Sequence, residues 1–124
     1  MYQILVIAIG GAAGSVLRFL VSTWTYAVLG RDFPYGTLAV NVIGCLAMGF
    51  LFVVLTERMA NDTLWRAGIL IGVLGGFTTF SSFSIETFNL IDNGEALKAL
   101  LNMASSLALC IGSTWIGVLV GRMV

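Results

Sequence analysis

A chain of 124 residues that is 59% hydrophobic and only 10% charged, with a mean hydropathy of +1.02, excludes a water-soluble domain, in which about a quarter of residues carry charge. Six basic and six acidic residues give a formal net charge of zero, and there is no histidine. Nothing in that balance draws the chain to nucleic acid or to an anionic membrane surface, and histidine-based catalysis is excluded. The length suits one domain of an all-α membrane protein. Met1-Tyr2-Gln3 carries no Lys or Arg, and the apolar pattern continues past Arg18, so the N-terminus does not read as a secretory signal. A bacterial inner-membrane location is expected.

Roughly 20 apolar residues cross a bilayer as a helix, and four such segments are predicted. The first covers about residues 4–29 and is interrupted by Arg18. A charge within a span is costly and marks a paired or functional site. Arg18 either snorkels to an interface or faces a water-filled vestibule, where it would draw anions. Arg31-Asp32-Phe33-Pro34 is a polar turn, and proline suits the first turn of the following helix. The second span covers about residues 35–55 and contains Asn41. A carboxamide at that depth offers two N–H donors; it either makes an interhelical hydrogen bond or serves an anion. Residues 57–62 form the next loop. The third span covers about residues 65–90, residues 92–95 form a turn, and the fourth span covers about residues 97–120. Trp24, Tyr26, Tyr35, Trp65 and Trp115 lie mostly near span ends, where amphipathic rings prefer the interface.

The even number of spans puts both termini on one side. That side carries Arg58, Arg66 and Arg122, and the other carries Arg31 and Lys98. This is a weak bias under the positive-inside rule. Either it suffices, or Arg18 decides, or the chain inserts both ways round and pairs as an antiparallel homodimer with a two-fold axis in the membrane plane. An oligomer is expected on other grounds. Four such helices leave little room for a pore, and they carry more polar residues than one small bundle can satisfy.

The third span contains Gly75-Gly76-Phe77-Thr78-Thr79-Phe80-Ser81-Ser82-Phe83-Ser84. In hydrocarbon each of these polar groups must find a partner within the protein. Gly68, Gly72 and Gly76 recur every fourth residue, a spacing that lets membrane helices approach closely. That reading accounts for the glycines but not for the hydroxyl–phenylalanine block. A helix break over residues 75–79, exposing backbone and hydroxyl groups to an ion as in transporters with discontinuous helices, accounts for more of it.

Phe80 and Phe83 share a helix face. Aromatic rings are positive at their edges, so the pair either packs a core or presents edges to a small anion, and the hydroxyls of Ser81 and Ser84 tilt the balance to the anion. Asn102, Ser106, Cys110 and Thr114 follow one another at four-residue intervals, a polar stripe that makes a pore wall or a helix seam. Glu86 sits either at the mouth of that path or at the interface ending the third span. Cys45 and Cys110 fall mid-span and read as buried free thiols. A metal site built on two cysteines without histidine is hard to complete.

Gly11-Ala12-Ala13-Gly14 followed by Arg18, the stretch from Gly36 to Gly44 with Asn41, and the Gly75 to Ser84 block together resemble the Fluc/CrcB fluoride channel family over essentially the whole chain. The third motif is highly specific and the first two support it. The resemblance implies a fluoride-selective channel that lets toxic fluoride leave the cell. It implies an antiparallel, dual-topology homodimer with two pores, lined by Asn41, Phe80 and Phe83, with hydroxyl contacts from Ser81, Ser84 and Thr114. It also implies a structural sodium ion at the dimer centre, held by backbone carbonyls that map onto Gly75 and Thr78.

Two rivals compete. A small proton-coupled exporter of organic cations needs a membrane-embedded carboxylate, whereas the first span offers Arg18, and Glu86 is the only acid near a span interior. A subunit that only assembles with partners needs packing motifs, not an asparagine, a phenylalanine pair and a polar stripe on one path. An enzyme is not expected, because no metal-ligand cluster or nucleophile–base pair stands out. No Gly-x-x-x-x-Gly-Lys-Ser/Thr loop is present to energise transport.

Overall fold

The computed structural model describes residues 2–58 and 61–124. Among the described residues, four helical spans are long and apolar enough to cross a membrane: Tyr2–Leu29, Tyr35–Arg58, Thr63–Asp92 and Ala96–Met123. The helix count is the one the hydropathy pattern predicts. The first span is helix α1 (Tyr2–Leu29). The second is α2 (Tyr35–Val53), prolonged by a π-helical turn at Val54–Arg58. The third is composite: α3 (Thr63–Arg66), a π-helical stretch at Ala67–Leu74, α4 (Gly75–Phe77), a break, and α5 (Phe80–Asp92). The fourth is α6 (Ala96–Met123).

Local chemistry sets the ends. Gly30 terminates α1 with φ +86°, a left-handed conformation that glycine adopts without a Cβ clash, and its N–H bonds the Tyr26 carbonyl at 2.9 Å. Pro34 stands at the N-cap of α2, one residue before the helix. Asp62 caps α3, its Oδ1 accepting from the Trp65 N–H at 3.4 Å. The turn into α6 closes with Gly94 at φ +80° and the Glu95 N–H on the Leu90 carbonyl at 2.8 Å.

The spans pair out of sequence order. The most extensive contacts join α1 to the third span and α2 to α6. Glycine makes both pairings possible. A Cβ at Gly76 would stand 2.7 Å from the Gly11 carbonyl oxygen, and one at Gly72 would stand 3.0 Å from that of Ile7. A Cβ at Gly14 would overlap the Val73 carbonyl. On the other pair, a Cβ at Gly117 would stand 2.8 Å from the Phe50 nitrogen, and one at Gly49 would overlap the Thr114 carbonyl. Backbone-to-backbone approach gives van der Waals contact where lipid offers no hydrophobic drive between helices.

The interior is correspondingly thin. Val40, Val53 and Asn102 are the largest fully buried side chains among the described residues. Leu, Ile, Phe and Trp side chains such as Phe52, Ile71 and Trp115 point outward. An apolar exterior around a core that contains polar side chains is what a hydrocarbon solvent selects.

Candidate functional site

The break lies at Thr78 and Thr79, which are extended with φ/ψ of −83°/158° and −149°/123°. The expected break covered residues 75–79. Gly75 and Gly76 are instead helical, within α4. Gly76 is held there by packing on Gly11, so its missing side chain serves close approach and not chain reversal. The two threonines supply the break: the Thr79 hydroxyl takes the place of a helical acceptor, and the Thr78 hydroxyl adds a second bond to the turn before it. The Thr78 Oγ1 donates to the Leu74 carbonyl at 3.0 Å. The Thr79 Oγ1 accepts from the Ser82 N–H at 3.2 Å and caps α5.

Asn41 clamps the break from α2. Its Nδ2 donates to the Thr79 carbonyl at 2.9 Å, and its Oδ1 accepts from the Thr79 N–H at 2.8 Å. The carboxamide thus pairs like a second peptide with the backbone of a buried residue. One Nδ2 hydrogen remains for another acceptor.

This wiring has a stoichiometric consequence. In an unbroken helix the Gly75 carbonyl would accept from the Thr79 N–H and the Thr78 carbonyl from the Ser82 N–H. Both donors are engaged by side chains. The Gly75 and Thr78 carbonyls therefore lose their regular helical donors, and Gly75 is exposed on the surface of the single chain. Neutral main-chain oxygens at a helix break suit a hard monovalent cation, so the residues fit the implied sodium ion in donor type. No group of three or more Cys, Asp or Glu side chains that could hold a metal occurs among the described residues.

A cavity of about 250 Å³ opens beside the break. Its lining includes Asn41, Thr79, Phe80, Phe83 and Ser106, together with Cys45 and Cys110. The Phe80 and Phe83 rings are tilted by 45° with centroids 5.4 Å apart, so they do not stack face to face and ring edges remain available. Phe80 is 77% exposed in the single chain, although it follows the buried Thr79 directly. Behind the cavity, Ser106, Asn102 and Thr87 form a buried relay. The Ser106 hydroxyl faces Asn102 Oδ1 at 3.5 Å, Asn102 Nδ2 donates to Thr87 Oγ1 at 2.9 Å, and Thr87 Oγ1 donates to the Phe83 carbonyl at 2.7 Å.

The polar stripe of α6 is therefore divided. Asn102 bonds Thr87 in the seam with α5, and Ser106 and Cys110 line the cavity. Thr114 does not line that cavity and returns its hydroxyl to the Cys110 carbonyl at 3.1 Å. Ser81 and Ser84 lie on the exposed face of α5, with Ser81 Oγ 3.3 Å from Thr79 Oγ1. All three stand apart from the four side chains that the single chain does bring together: Asn41, Phe80, Phe83 and Ser106.

Arg18 faces a second cavity, of about 220 Å³, lined by hydroxyls of Ser15, Ser22, Thr37, Thr79 and Ser82 and by no acid. Thr79 lines both cavities, so they flank the break. Glu86 is in a third, of about 190 Å³, with Tyr26, Arg31 and Asp32. Its Oε2 accepts from the Tyr26 hydroxyl at 3.0 Å, while its Oε1 is buried without a partner. The Arg31 guanidinium carbon stands 4.6 Å from the Tyr26 ring centroid. Arg18 and Glu86 thus occupy separate cavities. Sequence reasoning passed over Thr87, the Tyr26–Glu86 bond and the meeting of Cys45 with Cys110. The rule that a polar group in hydrocarbon needs a partner signals that partners exist for such residues, but not which ones.

Comparison with known proteins bears on the whole chain. The sequence model of the family described as CrcB-like protein, Camphor Resistance (CrcB), matches residues 5–118. The chain is 54% identical over 121 residues to the fluoride-specific ion channel FluC of Coxiella burnetii, covering 97% of this chain and 98% of that one. It is 48% identical over 122 residues to the protein of the same name from Magnetococcus marinus, covering 98% and 99%. A third FluC, from Geobacter sulfurreducens, is 48% identical over 122 residues, covering 98% of each chain. Near full-length matches to both a family model and several of its members leave one assignment: the chain belongs to the CrcB family.

Proposed function

We propose that this chain is a passive, fluoride-selective ion channel of the bacterial inner membrane, a multi-pass protein that lets toxic fluoride leave the cell. The observation that carries the reading is the cavity at the helix break, where Asn41, the Phe80–Phe83 pair and Ser106 converge, in a chain more than half identical to a fluoride-specific channel. Fluoride is small and strongly hydrated, so a path must replace its water with donors. The remaining Asn41 hydrogen is such a donor, and the Ser106 hydroxyl, whose one proton faces Asn102 Oδ1, becomes one by rotating toward the cavity. The phenyl edges contribute a weaker positive potential, favourable enough for entry and weak enough for exit. A negative membrane potential drives an anion outward by about 2.3 kcal/mol per charge for each 100 mV. No energy source is required, and conduction replaces any enzymatic step.

The working unit in this reading is an antiparallel homodimer with two pores. The exposure of Phe80 and Gly75 in the single chain supports a partner surface there. A two-fold axis near the break would oppose the Gly75 and Thr78 carbonyls of one subunit to those of the other, a main-chain cage for a structural sodium ion. Ser81, Ser84 and Thr114, outside the cavity of the single chain, would then act on a path completed by the second subunit. Arg18 would raise the local anion concentration at one approach, and Glu86 would stand near a mouth. The proton-coupled exporter gains no support, since the relatives bear the name of fluoride-specific channels. Liposomes containing the purified protein are expected to release fluoride and retain chloride; release of neither, or of both alike, overturns the reading.

A further inference from the structure

Cys45 and Cys110 are distant in sequence and share one place in the fold. Cys45 stands one helical turn after Asn41 on α2, and Cys110 one turn after Ser106 on α6. Both line the cavity at the break. They lie close enough to act on each other, and both are free and half-buried. The helices that carry them are fixed by the glycine contacts at Gly49 and Gly117. The sulfurs therefore keep their relation without loop movement.

We propose that Cys45 and Cys110 form a two-thiol site on the cavity wall that takes a soft, two-coordinate monovalent cation, of which Ag⁺ and Cu⁺ are the type, and that its occupancy stops anion passage. The consequence for passage rests on the channel reading; the site itself does not. Soft sulfur ligands select soft ions. Zinc would need a tetrahedral set, and no third or fourth Cys, Asp or Glu ligand gathers with these two among the described residues. An ion satisfied by two sulfurs is what remains.

The reaction balances without electron transfer. Two S–H bonds break, two metal–sulfur bonds form, and two protons leave to water through the cavity. The neutral thiol pair gains one positive charge and loses two, so the bound site carries a net charge of −1. Within a low-dielectric wall that charge acts strongly on a passing anion. The bound ion thus obstructs the path and also reverses the sign of the potential that the phenyl edges and donors provide.

Silver nitrate is the probe, in chloride-free liposomes carrying the full protein, with fluoride release read by electrode. Silver is expected to abolish release, and dithiothreitol to restore it on the same unmodified protein. The doubly substituted Cys45→Ser, Cys110→Ser protein is scored against its own silver-free release and is expected to resist. Release that persists in silver, or equal block of the doubly substituted protein, overturns the proposal. A second readout needs no flux: titration of purified protein should show a sulfur-to-silver ultraviolet band saturating at one ion per chain and lost in either single serine variant. If the protein conducts no fluoride yet shows that band, the channel reading fails and the site stands. If it conducts and shows no band, the site fails alone.

Discussion

Leucine at position 41 would strand both backbone groups of Thr79, which is 8% exposed and spends its N–H and carbonyl on the Asn41 side chain. A buried polar group deprived of its partner costs about 1–3 kcal/mol. Asn41→Leu is therefore expected to abolish fluoride flux and, in the same preparation, to lower the melting temperature in detergent. Lost flux at an unchanged melting temperature would assign Asn41 to the anion alone and not to the clamp. The neighbouring rings give a second test. Phe80→Ile and Phe83→Ile remove the positive ring edge while keeping an apolar side chain. Each is expected to slow fluoride release or admit chloride in paired efflux assays, and unchanged behaviour in both would make the pair a packing contact. An asparagine at bilayer depth was legible in the sequence as a site of interest. Its partner was not, because the clamp joins residues 38 apart and its geometry exists only once the third span has broken at Thr79.

Two adjacent glycines separate packing from assembly. A Cβ at Gly76 would meet the Gly11 carbonyl at 2.7 Å, whereas one at Gly75 meets only the Leu70 carbonyl, at an ordinary 3.8 Å. Gly76→Ala is expected to prevent α1 from seating on the third span, giving little folded protein by size-exclusion chromatography. Gly75→Ala should leave each chain folded, and dimer formation by that variant would then report how closely a second subunit approaches this face. Folding of both variants alike would refute the packing assignment. Hydropathy made the spans legible because each runs about 20 apolar residues between charged turns. The break was legible only as a region. Tandem glycines and tandem threonines both disfavour a helix, and the choice between them depended on Gly11 of another helix filling the space beside Gly76. The π-helical stretch at Ala67–Leu74 left no sign in the sequence, since its residues are as apolar and as glycine-spaced as a regular packing helix.

Across the whole molecule, the five basic residues other than Arg18 divide three to two between the ends. The side of the termini has Arg58, Arg66 and Arg122, and the opposite side Arg31 and Lys98. Part of this charge is already matched, by Arg122 with Glu57 at 3.5 Å and by Lys98 with Glu95 at 2.7 Å. C-terminal tags are expected on both faces of the membrane, read by accessibility labelling of whole cells and inverted vesicles. A single orientation would remove the antiparallel dimer. Sodium gives the companion test. If the Gly75 and Thr78 carbonyls of two subunits hold the ion, exhaustive sodium replacement by a large organic cation should stop flux through both pores together and weaken the dimer in cross-linking assays. Flux indifferent to that exchange would leave those carbonyls with another role.

The out-of-order pairing of the spans also sets a schedule for synthesis. The first span packs on the third and the second on the fourth, so no two helices that emerge in succession make up either of the closest glycine-lined pairs. A nascent chain halted after Arg58 holds α1 and α2 in the bilayer with Gly14 and Gly49 both waiting for backbone that has not been translated. The Asn41 carboxamide waits too, since Thr79 is still to come. Nearly all the tight contacts then arrive within the last half of translation, and the seam between α2 and α6 closes only as the final helix is released. A ribosome that stalls late leaves a partly packed intermediate whose unpaired polar groups lie in hydrocarbon. Those groups would mark the unfinished chain as a substrate for membrane quality-control proteases.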